Sequence, residues 1–64
     1  MDPNKSIAYI ASLVKARKLD EAFNAWKDLD RWLWSRLKAG KVVSKEIYES
    51  CREAKKSIDR ALKN

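Results

Sequence analysis

Apolar residues recur every three or four positions through three successive stretches of this chain, and that spacing constrains the fold more than any other feature. One face of an amphipathic helix has this period, whereas a half-buried strand would alternate apolar and polar residues. The pattern predicts helices over residues 4–17, 19–39 and 44–63. Amphipathic helices joined by short connections pack as an antiparallel up-down-up bundle. We therefore expect an all-α fold in which residues 1–64 form a single domain.

Capping signals stand near the ends of the predicted helices. Asp2 or Asn4 can cap the first helix, and Pro3 suits its first turn. Ser44 is the expected cap of the third helix. Gly40 suits the left-handed residue that follows the second helix.

The predicted core is formed by one face of each helix and by the second connection. A single cysteine and the absence of histidine leave neither an internal disulfide nor a zinc site to stabilise so short a chain. Stability must then come from packing, alone or with a partner. The expected core positions are Ile7, Ile10, Leu13, Val14, Leu19, Ala22, Phe23, Trp26, Leu29, Leu33, Leu37, Ile47, Cys51, Ala54, Ile58, Ala61 and Leu62, with Val42 and Val43 covering one end.

The residue types present argue against an enzyme. General acid–base catalysis usually needs histidine or a paired, desolvated carboxylate, and the acidic residues here are scattered. Cys51 falls in the apolar face of the third helix, where a small buried hydrophobe is expected rather than a nucleophile. Since the only glycine is a helix stop, no phosphate-binding loop is present. We therefore expect no enzymatic activity, no cofactor, no metal and no small-molecule substrate.

No apolar run is long enough to cross a membrane, and the polar start of the chain does not resemble a secretory signal peptide. With no disulfide available within the chain, these features favour a cytoplasmic location as the expectation.

The tryptophans of the second helix are the best candidates for a binding surface. The predicted second helix spans about 31 Å and the first about 21 Å, so the C-terminal part of the second is under-covered. With Trp26 at the centre of the apolar face, Trp34 falls about 80° to one side and Trp32 about 120° to the other. At least one of these two should be substantially exposed. The leading hypothesis is a non-enzymatic binding module that contacts a protein partner or a second copy through Trp32, Trp34 and Arg36, with Arg31 nearby.

The net charge of +6 favours an alternative, a small basic nucleic-acid-binding protein of phage, plasmid or archaeal-virus type. Basic residues on one outward stripe of the third helix are the candidate phosphate contacts, and an exposed tryptophan would stack on bases. These residues are Lys45, Arg52, Lys56 and Lys63. Because each helix is acidic at its start and basic at its end, matching of the helix dipole explains much of this pattern without a ligand.

Asp30 lies about 40° from the centre of the second apolar face, where a buried charge would be costly. It is expected either at an open edge of the bundle or paired with Arg17 or Lys55.

Two stretches resemble known families. Residues 13–29 resemble the helical hairpin of tetratricopeptide and pentatricopeptide repeats through Leu-Asp-Glu-Ala at 19–22, although Arg17-Lys18 replaces the turn glycine and no second repeat follows. That resemblance implies a protein- or RNA-binding helical scaffold. Residues 26–34 are similar to the Trp-rich membrane-proximal segment of the immunodeficiency-virus envelope transmembrane glycoprotein, apart from Lys27 and Asp30. That similarity implies, as a third alternative, an engineered helical scaffold presenting a Trp-rich epitope.

Overall fold

The computed structural model describes residues 1–63, which form three helices: α1 (Pro3–Lys15), α2 (Leu19–Lys38) and α3 (Lys45–Lys63). Each helix packs against the other two, so the predicted all-α three-helix bundle is confirmed. The bundle is elongated, with extents of 37 × 18 × 15 Å. Within residues 1–63, no helix combines the length and the apolar character needed to cross a membrane.

Side-chain caps fix where α1 and α3 begin. The Asp2 carboxylate accepts hydrogen bonds from the backbone N–H groups of Asn4 (3.0 Å) and Lys5 (3.4 Å). The Ser44 hydroxyl accepts one from the Ile47 N–H at 3.2 Å. Asp2 rather than Asn4 therefore caps the first helix, and the predicted role of Ser44 is confirmed.

Each of the two helix connections contains a residue in the left-handed conformation, but the residue type differs. The expected left-handed Gly40 (φ 73°) follows α2, which ends at Lys38, one residue before the predicted end. Arg17 takes the same conformation (φ 63°) after α1, and the Lys18 N–H donates to the Leu13 carbonyl at 2.9 Å. The first helix therefore stops two residues before the predicted end, because its chain reverses at Arg17 without a glycine.

The core contains most of the predicted positions, but not all of them. Phe23 (39% exposed), Leu37 (38%), Leu62 and Val42 are exposed, so their predicted burial was wrong, whereas Val43 does pack against the core. Leu62 lies in the last turn of α3, and Val42 is 89% exposed in the connection between α2 and α3. The buried residues are Ile10, Leu13, Ala22, Leu29, Leu33, Cys51, Ile58 and Ala61.

The exposure of Phe23 has a geometric cause in α2. The buried residues of that helix, Ala22, Leu29 and Leu33, centre about 40° away from Trp26, toward Trp32. This rotation places Phe23 about 100° from the centre of the buried face. It also reverses the order of the two outer tryptophans, because Trp32 moves to about 80° and Trp34 to about 120°.

Burial along α2 fails at its C-terminal end. Leu29 is 0% exposed, Leu33 is 3% and Leu37 is 38%. Since α1 has 13 residues and α2 has 20, the two helices span about 20 Å and 30 Å, and α1 leaves the last turns of α2 uncovered. We call the end of the bundle at residues 39–44 the open end and the end at residues 16–18 the closed end.

Candidate binding site

Trp34 and Tyr48 are the exposed aromatic residues of a groove between α2 and α3 near the open end, which we call the Trp34 groove. Trp34 is 52% exposed, so the expectation that at least one outer tryptophan faces solvent is confirmed. Leu33 and Cys51 are buried residues that also line this groove, whose volume is about 290 Å³. The arrangement offers aromatic faces to a ligand in a shallow, open depression.

Cationic side chains of α3 line the same groove. The Arg52 guanidinium carbon lies 6.0 Å from the centre of the Tyr48 ring, and among residues 1–63 no carboxylate lies within 4 Å of that guanidinium. The Lys56 ammonium is 3.4 Å from the Glu53 carboxylate, an exposed pair that costs little to separate. Arg52 and Lys56 therefore offer positive charge beside exposed aromatic rings.

Among residues 1–63, Asp30 is the only acidic residue that lines the Trp34 groove. No cation lies within 4 Å of its carboxylate in the described part of the chain, and Lys55, one predicted partner, instead pairs with Asp59 at 2.9 Å. Of the two predicted placements, the half-exposed edge is the one observed. Burial, reinforced by the negative charge of Asp30, raises the pKa of the Cys51 thiol, which therefore remains neutral at physiological pH.

The structure separates the four residues of the leading hypothesis. Trp32 is half-buried and packs against the core, and the Arg36 guanidinium lies 5.3 Å from the centre of its ring. Arg31 is exposed and lies 3.9 Å from the carboxylate of Asp28. Only Trp34 of the four lines the groove.

The basic stripe of α3 is divided as well. Arg52 and Lys56 line the Trp34 groove, whereas Lys45 lies 3.9 Å from Glu49 and Lys63 is about 27 Å from Lys45 along the helix. The structure thus unites one residue of the predicted protein-binding set with two of the predicted nucleic-acid set.

Tyr48 is the exposed aromatic residue of the groove that sequence reasoning missed. A usable signal was present, because Tyr48 precedes Arg52 by one helical turn on the same face. In an antiparallel pair the start of α3 also lies opposite the end of α2, which carries Trp34.

A second aromatic cluster, toward the closed end, is covered by cations. Phe23 stacks on Trp26 with ring centres 5.9 Å apart and planes 9° apart. The ammonium groups of Lys27 and Lys55 lie 5.5 Å and 5.9 Å from the centre of the Phe23 ring. The indole N–H of Trp26 donates to the Cys51 carbonyl at 3.1 Å, which ties α2 to α3. This cluster is a structural one, because its polar atoms and ring faces already have partners. Trp26 and Lys55 of the cluster also line the Trp34 groove.

From Met1 to Lys63, no group of three or more His, Cys, Asp or Glu residues is arranged to hold a metal ion. Comparisons of the chain with protein-family models, curated proteins and solved structures find no match. The candidate site is therefore defined by the geometry of this chain alone.

Proposed function

We propose that this protein is a non-enzymatic binding module that recognises a protein partner through the Trp34 groove. The observation that carries the proposal is the failure of burial at the end of α2, which leaves Trp34 52% exposed and Leu37 38% exposed. An exposed tryptophan that gains a partner buries a large apolar area, and tryptophan, tyrosine and arginine dominate interface energetics.

Further exposed apolar side chains lie at the same end of the bundle as Trp34. Leu37 follows Trp34 by three residues on α2, so the two are neighbours on the helix surface. Tyr48 lies across the groove on α3, and Val42 is exposed in the connection between the helices. Clustered exposed apolar groups with a polar rim are typical of protein-binding surfaces.

The rim of the groove selects the partner's charge. Arg52 and Lys56 line the groove, and Lys38 and Lys41 lie at the same end of the bundle. An interface is arranged so that opposite potentials meet. The preferred partner surface therefore combines an apolar or aromatic anchor with acidic residues.

Selection from a library of random peptides, followed by affinity measurements on the enriched sequences, tests this proposal. Enriched peptides should contain an aromatic or aliphatic anchor flanked by Asp or Glu. Trp34→Ala should weaken their binding by about 30-fold, the loss typical of an interface hot spot. Tyr9→Ala is the matched control, because Tyr9 is an exposed aromatic on α1 outside the groove, and its loss should leave binding unchanged.

Two results would contradict the proposal. One is equal binding of the selected peptides by wild type and Trp34→Ala. The other is enrichment of basic peptides, because their positive charge would be repelled by Arg52 and Lys56.

Single-stranded nucleic acid is the second candidate ligand, and one observation favours it. Arg52 and Lys56, two of the predicted phosphate contacts, line the same groove as the aromatic residues Trp34 and Tyr48. Stacking of a base on an aromatic side chain contributes about 1–3 kcal/mol and is tolerant of sequence.

Binding of a fluorescent oligo-dT and an oligo-rU across a salt series tests this candidate. Nucleic-acid binding predicts an affinity that falls steeply with salt and is reduced by both Trp34→Ala and Arg52→Ala. Equal affinity for the oligonucleotides in wild type and Trp34→Ala would reduce the interaction to nonspecific attraction by the net charge and reject the groove as its site.

A further inference from the structure

A second groove, between α1 and α3, differs from the Trp34 groove in size and charge. Its volume is about 460 Å³, within the range of pockets that hold small ligands or inserted side chains. Its lining is mostly apolar or small, which leaves open space between the two helices. The residues that carry this character are Ile7, Ile10, Ala11, Val14, Ala54, Ser50 and Ser57.

Three glutamates of α3, Glu46, Glu49 and Glu53, also line this groove, which we call the acidic groove. They stand out in a chain whose net charge is +6. Lys45 lies 3.9 Å from Glu49, and Glu53 lies 3.4 Å from Lys56 and 3.9 Å from Arg60. Pairs as exposed as these are readily exchanged for others. The rim therefore keeps its capacity to attract a cationic surface.

The α3 helix divides the two grooves and presents opposite charges to them. Arg52 and Lys56 line the groove on the α2 side, and Glu46 lines the groove on the α1 side. One molecule thus carries an apolar surface with a basic rim and an apolar groove with an acidic rim.

We call Trp34, Leu37, Tyr48, Arg52 and Lys56 together the Trp34 surface. We infer that the acidic groove binds the Trp34 surface of a second copy of this chain, so that the protein associates head to tail. The inference rests on the proposed function and names the partner of the same site. In this contact the exposed Trp34 ring is itself the anchor, and the acidic groove supplies the apolar lining and the acidic residues that the Trp34 surface requires of its partner.

Individual groups on the acidic groove are complementary to the Trp34 side chain. An indole that becomes buried prefers an acceptor for its N–H, and the hydroxyls of Ser50 and Ser57 and the glutamate carboxylates supply acceptors. The small side chains of Ala11 and Ala54 leave room for the ring.

Because the two surfaces differ, the contact is heterologous, and each copy uses both surfaces at once. Repetition of such a contact closes into a ring or grows into an open chain. Two standard contacts of about 800 Å² each would cover about one-third of the 4743 Å² surface of the monomer. We therefore expect each interface to be smaller than standard and the association to be weak.

The inference is tested by sedimentation equilibrium between about 10 µM and 1 mM, the range that reveals weak association. The first variant, Trp34→Ala, loses the surface that inserts. The second, Ala11→Arg, fills the acidic groove at an exposed position of α1 and adds a repelling charge. Ala8→Arg is the matched control, because Ala8 is exposed on the same helix outside the groove. Circular dichroism establishes that every variant is folded.

Wild type and Ala8→Arg should gain mass with concentration, and the association should weaken as salt is added. Trp34→Ala and Ala11→Arg should each associate at least about tenfold more weakly. An equimolar mixture of these two variants should recover a dimer and nothing larger. In the mixture the intact groove of Trp34→Ala meets the intact Trp34 surface of Ala11→Arg.

Three results would overturn the inference. A wild-type monomer at all concentrations excludes the second copy as the partner, and peptide selection still tests the Trp34 groove separately. Association lost in Trp34→Ala but unchanged in Ala11→Arg places the contact outside the acidic groove while supporting the role of Trp34. Association unchanged in Trp34→Ala removes the Trp34 surface from self-association altogether.

Discussion

An aromatic residue of α2 is exposed near each end of the bundle, but the contacts of the two rings differ. Toward the closed end, Phe23 (39% exposed) stacks on Trp26 and lies beneath the ammonium groups of Lys27 and Lys55. Near the open end, Trp34 (52% exposed) has no stacked aromatic and no cation over its ring within residues 1–63. Two aromatic rings that are both partly exposed therefore differ in their contacts. The Phe23 ring has a stacking partner and two cations over it, and within the same residues the Trp34 ring has neither.

The difference shows that exposure alone does not identify a binding residue in so small a domain. A long lysine side chain covers apolar surface with its stem and keeps its charge in water. Phe23 is covered in this way from two helices, because Lys27 belongs to α2 and Lys55 to α3. Trp34 lies between the same two helices, but within residues 1–63 no lysine or arginine of either helix lies over its ring.

The largest effect expected from this comparison is on stability at the closed end. Trp26→Ala removes half-buried apolar surface, the stack with Phe23 and the hydrogen bond to the Cys51 carbonyl. We expect a loss of about 3 kcal/mol in the free energy of unfolding. Urea denaturation followed by circular dichroism measures it.

Trp26→Phe is the control for that variant, because it keeps a ring against Phe23 and removes only the indole donor. Its expected cost is about 1 kcal/mol, since the Cys51 carbonyl keeps its place in the hydrogen bonding of α3. A loss below about 1 kcal/mol in Trp26→Ala would show that the closed-end cluster does not hold α2 to α3.

Lys55 provides the next effect, because it joins the two aromatic rings to an acidic partner. Its ammonium lies 5.5 Å from the centre of the Trp26 ring and 2.9 Å from the Asp59 carboxylate. Lys55→Met keeps the apolar stem and removes the charge, and we expect a loss of about 1 kcal/mol that shrinks with added salt. The matched control is Lys56→Met, because within residues 1–63 the Lys56 ammonium has only the exposed Glu53 carboxylate as a partner. Equal losses in the two variants would mean that cation–π cover adds nothing at the closed end.

The helix connections at the two ends were predictable from sequence to different degrees. At the open end, the glycine at position 40 predicted a left-handed residue. At the closed end, nothing in the local sequence predicted that Arg17 would adopt the same conformation. The bundle closes at Arg17 because the Lys18 N–H reaches the Leu13 carbonyl, a requirement set by the packing of α1 on α2 rather than by residue preference.

Exchange of residue types at these two positions tests that view. Arg17→Gly relieves the left-handed strain of about 1–2 kcal/mol and adds backbone entropy to the unfolded chain, for a net gain of about 0.5–1 kcal/mol. Gly40→Ala should cost about 1 kcal/mol, and strain is its only cause, because nothing lies within 4 Å of the added methyl group. Thermal unfolding measures whether Arg17→Gly raises and Gly40→Ala lowers the stability of the protein. Destabilisation by Arg17→Gly would contradict the argument.

The candidate site was predictable in part, and the missing part has one physical origin. Periodicity and helix length predicted an exposed tryptophan at the end of α2, as observed for Trp34. A helical wheel centred on Trp26 nevertheless misjudged the direction of the core by about 40°, because large residues dominate the apolar average while the small Ala22 is fully buried. Which helix faces which flank is decided by packing between helices, so the meeting of Trp34 with Tyr48 and Arg52 required the structure.

The smallest expected effect is the most informative about the open end. If Trp34 serves binding and not folding, Trp34→Ala should change the stability of the monomer by no more than about 0.5 kcal/mol, since the residue is more than half exposed and alanine's higher helix propensity offsets much of the packing that is lost. Denaturation at low concentration, where association is negligible, measures this value against the large loss in Trp26→Ala. A cost near that of Trp26→Ala would mean that Trp34 packs as tightly as the closed-end cluster. The contrast between the two ends, and with it the case for the Trp34 groove, would then disappear.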